Sequence, residues 1–393
     1  MAETPAPSAT SVARPRWRLR LCVRLIGALL PAMLLVGPAA AVWYRVGEFV
    51  DPVTAARIQS ESRDADVLFG QAYSNNTRAY KAAAIQRTRP AALAIGSSRT
   101  LEFREDAFST PFYNAGGTVD CLEDLGAGLF SLPPDARPQV IILGVDPWWF
   151  NGAYEAPGCK GSSSAYDSPL RNFATAWRDT WSDYFSDKFA ATQLRTSTQA
   201  GPTSPIGLNA WVNGNGFRKD GSYRYGSIME RPDDPRTNPD VGFHATIDRV
   251  QSGSGRFVPA DVASEPAIAA FETFLRECRS RGIHVVAFLP PFPHAVIEAL
   301  RDRADRNRYF WSLGARLRTV AEANGVIIED LSDLATLGMS DDEAIDGYHC
   351  SEKAYLAVLL RLAEHDPVLR THLRPISELE TRLARASRRF IAF

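Results

Sequence analysis

The sequence predicts an α/β fold in which a parallel sheet carries helices on both faces. Short apolar stretches alternate along the chain with longer amphipathic ones, which is the pattern of strands connected by helices. The run from Val140 to Leu143 is apolar at every position, as in a strand buried on both faces. With 393 residues, 45% of them hydrophobic and 10% aromatic, the chain can bury a large core, as one large domain or two small ones.

Five stretches are predicted strands and four are predicted helices. The strands are AALAIG from Ala91, FYNAGG from Phe112, PQVIILGVDP around Val140, IHVVAFLPP at Ile283 and VIIEDL from Val326. The helices are residues 122–132, the segment EPAIAAFETFLRECRSRG, residues 306–323, and the segment SEKAYLAVLLRLAEH. Ser351 is the predicted N-cap of the last helix, because its hydroxyl can accept a hydrogen bond from the first helical turn.

An apolar segment near the N-terminus predicts a membrane anchor. Residues 25–44 carry no charge, and at about 1.5 Å per residue they form a helix of about 30 Å, the thickness of a bilayer core. Trp43 and Tyr44 end the segment as an interfacial aromatic belt would. Arginines precede it at positions 14, 16, 18, 20 and 24. These features favour an uncleaved single-pass protein of the cell inner membrane, with residues 1–24 as a cytoplasmic basic tail and the rest extracytoplasmic, in the periplasm.

A cleaved signal peptide is the alternative interpretation of this segment. Residues 25–36 have the length of an h-region, Gly37-Pro38 breaks the helix, and Ala39-Ala40-Ala41 resembles a cleavage site, so that cleavage after Ala41 would give a secreted protein. Under both interpretations the chemistry takes place outside the cytoplasm. Residues 45–88 form a helix-prone connecting segment, and residues 89–393 form the main domain with an insertion at 152–259.

The composition excludes some classes of function. The 44 basic and 45 acidic residues give a net charge of −1, which offers no electrostatic basis for binding nucleic acid. No C-x-x-C motif and no histidine pair at ligand spacing occurs, so we expect neither a metal nor another cofactor. In an oxidising compartment at least one disulfide can form, with Cys121–Cys159 as the candidate because both follow segments placed at one end of the sheet; four buried free thiols are the alternative.

Two separated stretches carry the residues of a nucleophilic site. Ser97 and Ser98 follow Gly96 at the predicted carboxyl end of the first strand, where ligands bind in parallel sheets. A serine is a nucleophile only when a base takes its proton and a third group orients that base. Asp346 and His349 lie three residues apart just before the last helix, and a turn between them can place the carboxylate on the imidazole.

The motifs together resemble a known family. GSSR after the first strand, NAGG after the second, GVDP after the third and DGYHCSEKAY near the C-terminus resemble blocks I, II, III and V of the SGNH/GDSL hydrolase superfamily. The anchored layout is similar to its envelope-modifying branch, which includes the D-alanine transfer protein of teichoic-acid modification and the alginate O-acetylation proteins. The resemblance covers about residues 91–365, apart from the insertion, and implies a flavodoxin-like three-layer sandwich with a parallel sheet.

The resemblance also implies roles for particular residues. Ser98 matches the block I nucleophile, and Asp346 and His349 match the block V pair. The Ser98 amide and a block II glycine amide would form the oxyanion hole, with Gly116 as the best match and Gly117 as the second. Residues 89–393 would then be the catalytic domain.

Block III departs from the family pattern, because Asp146 stands where the family has an oxyanion-hole asparagine. A carboxylate would repel a developing oxyanion, so Asp146 is protonated, points elsewhere to orient a substrate hydroxyl, or indicates a different use of the site. We favour the second. Arg99 is a candidate for binding a substrate carboxylate or phosphate, with a salt bridge as the alternative, and Trp148 is a candidate for stacking on a sugar, with core packing as the alternative.

The expected function is that of a serine acyltransferase or esterase acting on O-acyl groups, above all O-acetyl groups, of a cell-envelope or secreted polysaccharide. The expected partners are an acyl donor or membrane-bound acyl carrier protein, such as a membrane-embedded O-acyltransferase, and the carbohydrate. A polysaccharide deacetylase with the same triad and a non-enzymatic anchored assembly protein are the alternatives. The segment GNGFRKDGSYRYG from Gly214 is predicted as one wall of the cleft or as a surface hairpin.

Overall fold

Five apolar strands form one parallel sheet in the computed structural model, which describes residues 16–62, 67–73, 77–126, 128–154, 159, 169–190 and 205–393. They are β1 (Ala92–Gly96), β2 (Phe112–Gly116), β3 (Val140–Gly144), β6 (His284–Leu289) and β7 (Ile327–Asp330), and they lie in the order β2-β1-β3-β6-β7. A separate antiparallel hairpin pairs β4 (Asn215–Phe217) with β5 (Tyr223–Tyr225). The five strands predicted from the sequence are confirmed.

The described helices precede, interrupt and follow the sheet. In chain order they are α1 (Arg16–Arg45), α2 (Pro52–Glu61), α3 (Thr77–Thr88), α4 (Pro169–Phe185), α5 (Leu208–Asn213), α6 (Gly226–Glu230), α7 (His244–Ser252), α8 (Glu265–Ser280), α9 (His294–Arg301), α10 (Arg308–Ala323), α11 (Glu352–His365), α12 (Pro367–His372) and α13 (Ile376–Arg385). Ser351 caps α11 as predicted, with its Oγ accepting the Ala354 N–H at 3.2 Å.

Alternate strand residues face two different layers of helices, as the period of two in a strand requires. Leu93 and Ile95 point to the side covered by α3, α8 and α10, whereas Ala92 and Ala94 point to the side covered by α11, α12 and α13. The fold is therefore α/β, with a parallel sheet flanked by helices and an arrangement compatible with a three-layer sandwich. The carboxyl ends of β1 and β3 lie where the strand order reverses, which is the ligand-binding position of such sheets.

One predicted helix is wrong. Residues 122–132 form the short 3-10 turn Leu122–Asp124 followed by further turns in the described part of this stretch. Gly126 and Gly128 lie in the middle of the stretch and Pro133 follows it, and this spacing of poor helix formers leaves no room for several consecutive helical turns.

The insertion at 152–259 divides between two parts of the molecule. α4 packs against the end of α1, where the Trp43 Nε1–H donates to Thr180 Oγ1 at 2.8 Å. The β4–β5 hairpin instead joins α2 and α3: Gln59 Nε2 donates to the Phe217 carbonyl at 2.9 Å, and the Phe217 ring stacks on Tyr80. The connecting segment predicted at 45–88 is likewise part of the core, because Tyr80 is fully buried against the sheet.

α1 is bent near Pro31. Among the described residues no single straight helix reaches the length and hydropathy of a membrane span; the two halves Arg20–Pro31 and Met33–Arg45, which meet at 62°, reach them together. Side chains at the end of α1 belong to the folded domain, since Ala39 and Trp43 are each only 1% exposed.

A disulfide joins Cys121 to Cys159, the pair selected from the sequence, with 5.6 Å between the Cα atoms. Cys278 and Cys350 are free and buried. Together with Glu123, the two bonded cysteines place one candidate metal-ligand atom each within 4.8 Å of one another, but a disulfide offers no thiolate to a metal.

A buried charged cluster lies behind the hairpin. Arg104 forms ion pairs with Asp220 and Glu352 at 3.1 and 2.8 Å, and Arg218 pairs with Glu352 at 3.0 Å. Glu102 belongs to this cluster and is 2% exposed, yet neither of its carboxyl oxygens has a hydrogen-bond partner within the described residues. Burial therefore raises the pKa of Glu102 well above its ordinary value, although the charge of Arg218 opposes this effect.

Replacing Glu102 with glutamine should stabilise the protein at pH 8 and change its stability little at pH 4. The unfolded chain releases the Glu102 proton near the ordinary pKa of 4.5 while the folded chain retains it, so stability is lost as the pH rises above that value. Each unit of pKa difference corresponds to about 1.4 kcal/mol. Denaturant unfolding of both proteins at the two pH values measures the effect, and an equal change at both values would contradict it.

Candidate active site

Three glycines at strand ends make room for the turn that carries the candidate nucleophile. Gly96, Gly116 and Gly144 end β1, β2 and β3, and a Cβ atom on them would lie 2.6, 2.6 and 2.3 Å from the Thr100 side chain. Thr100 belongs to the 3-10 turn Ser98–Thr100 that directly follows the first strand. Three of the five glycines in the motifs are therefore explained by sterics, because each lets the turn lie against the sheet.

Replacing Gly144 with alanine should misplace this turn and lower activity about 100-fold, the usual cost of a shift of about 1 Å in a reacting group. The new Cβ would lie 2.3 Å from Thr100 Cγ2 and no closer than 3.3 Å to any other neighbouring atom. The second substitution Thr100→Ser removes that methyl group, so the double variant should recover most of the activity. Steady-state kinetics of the three variants test this, and a double variant no better than Gly144→Ala would contradict the steric explanation.

His349 connects the candidate nucleophile to a carboxylate. Its Nε2 lies 2.9 Å from Ser98 Oγ, and its Nδ1 lies 2.8 and 2.9 Å from the two carboxylate oxygens of Asp346. The structure thus brings together the three residues that the sequence predicted as a Ser-His-Asp set. Both distances to the histidine ring are within the reach needed for proton transfer and for orienting the ring.

The loop before α11 holds Asp346 in its ionised form. Asp346 Oδ1 accepts the backbone N–H groups of Tyr348 and His349 at 2.7 and 2.8 Å. Burial alone would raise the pKa of Asp346, but the His349 ring and these two donors outweigh burial and hold the pKa below its ordinary value. The charge that a histidine base needs beside it is therefore present at neutral pH.

Asp146 is buried and pairs with Arg99. The Arg99 Nη1–H donates to Asp146 Oδ1 at 3.1 Å, and both side chains are buried, with 0% and 1% exposed. Burial raises the pKa of Asp146, and the charge of Arg99 opposes burial without cancelling it. The Ser97 hydroxyl also favours the charged form, although Asp146 Oδ2 has no hydrogen-bond partner within the described chain.

Arg99 ties together three segments that converge on the site. Besides Asp146 at the end of β3, it donates from Nε to the Tyr348 carbonyl at 3.1 Å and from Nη2 to the Pro290 carbonyl at 2.8 Å. Its guanidinium also lies 3.7 Å from the centre of the Phe292 ring. Since Arg99 follows Ser98 and Tyr348 precedes His349, this side chain fixes the distance between nucleophile and base.

These contacts correct the expectation that Arg99, Asp146 and Trp148 bind substrate. Arg99 and Asp146 form a buried ion pair, and Trp148 is only 4% exposed and packs against Tyr348 and Phe292. For all three residues the alternatives of a salt bridge or core packing agree with the structure. These contacts lie between the segments that carry the nucleophile and the base.

The predicted oxyanion hole is only partly available. The Gly116 N–H donates to Asn114 Oδ1 at 2.8 Å, and the Gly117 N–H donates to the Gly96 carbonyl at 3.1 Å. This corrects the expectation that Gly116 offers a free amide, because its own strand neighbour occupies it. Ser98 is the first residue of its 3-10 turn, so its N–H has no acceptor within that turn and can face an oxyanion.

The insertion braces the Asp-His loop, a feature that the sequence did not reveal. Asp240 Oδ2 accepts the Gly347 N–H at 2.9 Å, and Asn238 Nδ2 donates to the Ile345 carbonyl at 3.0 Å. A Cβ atom on Gly347 would lie 2.3 Å from Thr246 Oγ1, so only glycine fits there. The one sequence signal was Asn238-Pro239-Asp240, which reads as an ordinary turn.

The β4–β5 hairpin forms one wall beside the triad. The Tyr225 ring centre lies 5.5 Å from that of His349, and the Tyr223 N–H donates to the Leu101 carbonyl at 3.1 Å. The hairpin therefore packs against both the nucleophile turn and the base and is not an isolated surface feature.

Comparison with known protein families, with curated proteins and with solved structures finds no match to this chain. The resemblance to the SGNH/GDSL hydrolases consequently depends on the four motifs, and a catalytic activity is supported by the geometry of Ser98, His349 and Asp346.

Proposed function

We propose that the protein is a membrane-anchored, extracytoplasmic SGNH-type serine acyltransferase or esterase that acts on O-acyl groups, above all O-acetyl groups, of a cell-envelope or secreted polysaccharide. The observation that carries this proposal is the hydrogen-bonded series Ser98 Oγ, His349 Nε2, His349 Nδ1 and Asp346, with distances of 2.9 and 2.8 Å. The sheet order and the position of the site at the strand ends support an SGNH-type fold.

The first half of the reaction forms an acyl-enzyme. Ser98 Oγ attacks the acyl carbonyl carbon while its proton passes to His349 Nε2, and the negative oxygen of the tetrahedral intermediate faces the Ser98 N–H. His349 then gives its proton to the departing oxygen as the bond to that oxygen breaks. Asp346 remains ionised and stabilises the imidazolium throughout.

The second half releases the acyl group. A hydroxyl of water or of a carbohydrate gives its proton to His349 Nε2 and attacks the carbonyl carbon of the acyl-enzyme. Ser98 Oγ leaves and recovers the proton, so the site returns to its starting state. Water as acceptor makes the protein an esterase or polysaccharide deacetylase, whereas a sugar hydroxyl makes it an acyltransferase.

We favour transfer because a protein held at a membrane by its N-terminal helix can receive acyl groups from a membrane-bound carrier, such as a membrane-embedded O-acyltransferase. Retention of residues 25–44 is supported by the burial of Ala39 in the domain, since cleavage after Ala41 would remove this residue from the core that it forms with Val42 and Trp43. The inner membrane with a periplasmic domain is the proposed location.

The fate of a labelled acetyl group distinguishes the candidate activities. Purified protein in detergent would be given an aryl [¹⁴C]acetate and a soluble oligosaccharide, with Asp346→Asn as the control. Label on the oligosaccharide supports transfer, and label only in free acetate supports hydrolysis. Turnover equal to that of the Asp346→Asn protein would reject both enzymatic assignments and favour an anchored assembly protein.

A further inference from the structure

Helix α4 packs one side against the end of α1. Ala176 and Thr180 are buried there, Phe173 lies edge-on to Trp43 with 5.5 Å between ring centres, and Thr180 Oγ1 accepts the Trp43 indole N–H. At 100° per residue these three α4 positions fall on one side of the helix. α4 is thus joined to α1 by a specific buried contact.

The neighbouring side of α4 is apolar and exposed. Leu170 and Phe185 are 83% and 76% exposed, and Tyr184 is 39% exposed. Trp181 stacks on Phe185 with 5.8 Å between ring centres, so the aromatic side chains form a cluster around the end of the helix. Apolar patches of this kind mark contacts with another molecule or with a membrane.

Two indole hydrogen bonds fix the position of α4 along the axis of α1. The Trp177 and Trp181 Nε1–H groups both donate to the Leu35 carbonyl, at 2.9 and 3.2 Å. Leu35 lies within the uncharged run 25–44, and the side chains of Met33, Leu34 and Leu35 are exposed. The exposed side of α4 therefore continues the exposed apolar surface of α1.

We propose that α4 lies in the outer half of the lipid bilayer beside α1, with its exposed apolar side, which carries Leu170, Trp181 and Phe185, turned toward the acyl chains. A helix that contacts α1 between Leu35 and Trp43 lies at the depth of the outer half of the anchor. Amphipathic helices lie in the plane of the interface with their apolar side in the acyl-chain boundary. The inference rests on the proposed anchor.

Attachment to the membrane through both α1 and α4 would restrict how the catalytic domain rotates. A single helix leaves a domain free to rotate about its anchor, whereas a second element in the interface limits that rotation. The site then keeps one orientation toward a membrane-bound acyl donor. The opposite side of α4, where the Asp179 side chain is 44% exposed, faces the aqueous side.

Spin labels in liposomes of phosphatidylcholine and phosphatidylglycerol test the proposal on the full chain. A Cys22→Ser background leaves the free cysteines Cys278 and Cys350, which are buried. Labels would be placed by Leu170→Cys or Phe185→Cys, by Met33→Cys in the anchor, and by Val262→Cys as the aqueous control, since Val262 is also 76% exposed but lies far along the chain. Oxygen and a nickel chelate are the collision probes.

We expect the ratio of oxygen to nickel accessibility at positions 170 and 185 to exceed that at position 262 at least threefold and to approach that at position 33. Nickel accessibility at 170 and 185 equal to that at 262, with position 33 protected, would overturn the proposal while leaving the anchor intact. Nickel accessibility at position 33 as well would overturn both. Protection at 185 that appears only at high protein-to-lipid ratio would assign the surface to a second copy of the chain and also overturn it.

Discussion

Replacing Ser98 with alanine should lower the rate of acyl transfer or ester hydrolysis about 10⁶-fold, to the level that binding alone provides. The substitution removes the one oxygen that lies 2.9 Å from His349 Nε2, and the side chain of alanine cannot form an acyl-enzyme. The fold should be preserved, because Ser98 is only partly buried. Steady-state hydrolysis of an aryl acetate measures the loss.

Ser97→Ala is the matched control for this substitution. The Ser97 hydroxyl accepts the Arg99 N–H at 3.2 Å and serves as the cap of the nucleophile turn, so its loss should cost about 1 kcal/mol of stability and less than tenfold in rate. If Ser98→Ala retained activity while Ser97→Ala lost it, the assignment of the nucleophile would be wrong.

Replacing Arg99 with methionine should destabilise the protein by about 3–5 kcal/mol, because it leaves a buried carboxylate without its partner. Asp146 is 1% exposed, and no other side chain forms an ion pair with it among the described residues. The loss should grow as the pH rises. Burial raises the pKa of Asp146 and the Arg99 charge opposes burial, so removing Arg99 raises this pKa further and the variant loses more stability than the wild type as Asp146 deprotonates.

Two further variants make this prediction specific. The double variant Arg99→Met with Asp146→Asn removes both charges and should recover most of the stability, because a buried pair costs more to break than to remove whole. Arg316→Met breaks the exposed pair with Glu265, whose side chains are 52% and 71% exposed, and should cost less than about 1 kcal/mol. Denaturant unfolding at pH 5 and pH 8 compares the three. No recovery in the double variant would contradict an electrostatic origin of the loss.

Features that depend on local pattern were predictable from the sequence. The five parallel strands follow from apolar runs next to Gly and Pro, and α11 follows from the Ser351 cap and an amphipathic repeat. The candidate triad was also predictable, because Asp346 and His349 are close in the chain and Ser98 matches a motif at a strand end. Each of these signals lies within about ten residues.

Features that depend on distant partners were not predictable. Nothing local to Asp146 indicates Arg99, which lies 47 residues away, and nothing local to Gly347 indicates the Asp240 carboxylate that holds its N–H. The hydrogen bond from the Gly116 N–H to Asn114 Oδ1 joins residues that are close in the chain, but it depends on a conformation of the Asn114 side chain that the motif does not specify. The steric role of Gly116 and Gly144 was not predictable either, because the residue for which they make room, Thr100, lies 16 and 44 positions before them in the chain.

The pairing of Arg99 with Asp146 also answers the question raised by the third motif. A carboxylate in that position would oppose catalysis if it faced the oxyanion, but here one of its oxygens accepts from the Arg99 guanidinium. Asp146 is thereby joined to the turn that carries Ser98. Of the predicted oxyanion donors, the Ser98 N–H is then the one that has no acceptor in its own turn. If the hydrogen bond from the Gly116 N–H to Asn114 Oδ1 opened, the Gly116 N–H would become a second donor.

The most direct test of the central claim is covalent labelling of the wild-type protein with a fluorophosphonate, followed by intact-mass measurement and sequencing of the labelled peptide. A serine activated by His349 should take up one equivalent, located on Ser98, and labelling should disappear in Ser98→Ala and fall about 10⁴-fold in rate in Asp346→Asn. Absence of labelling in the folded wild-type protein, or labelling at another residue, would contradict the account.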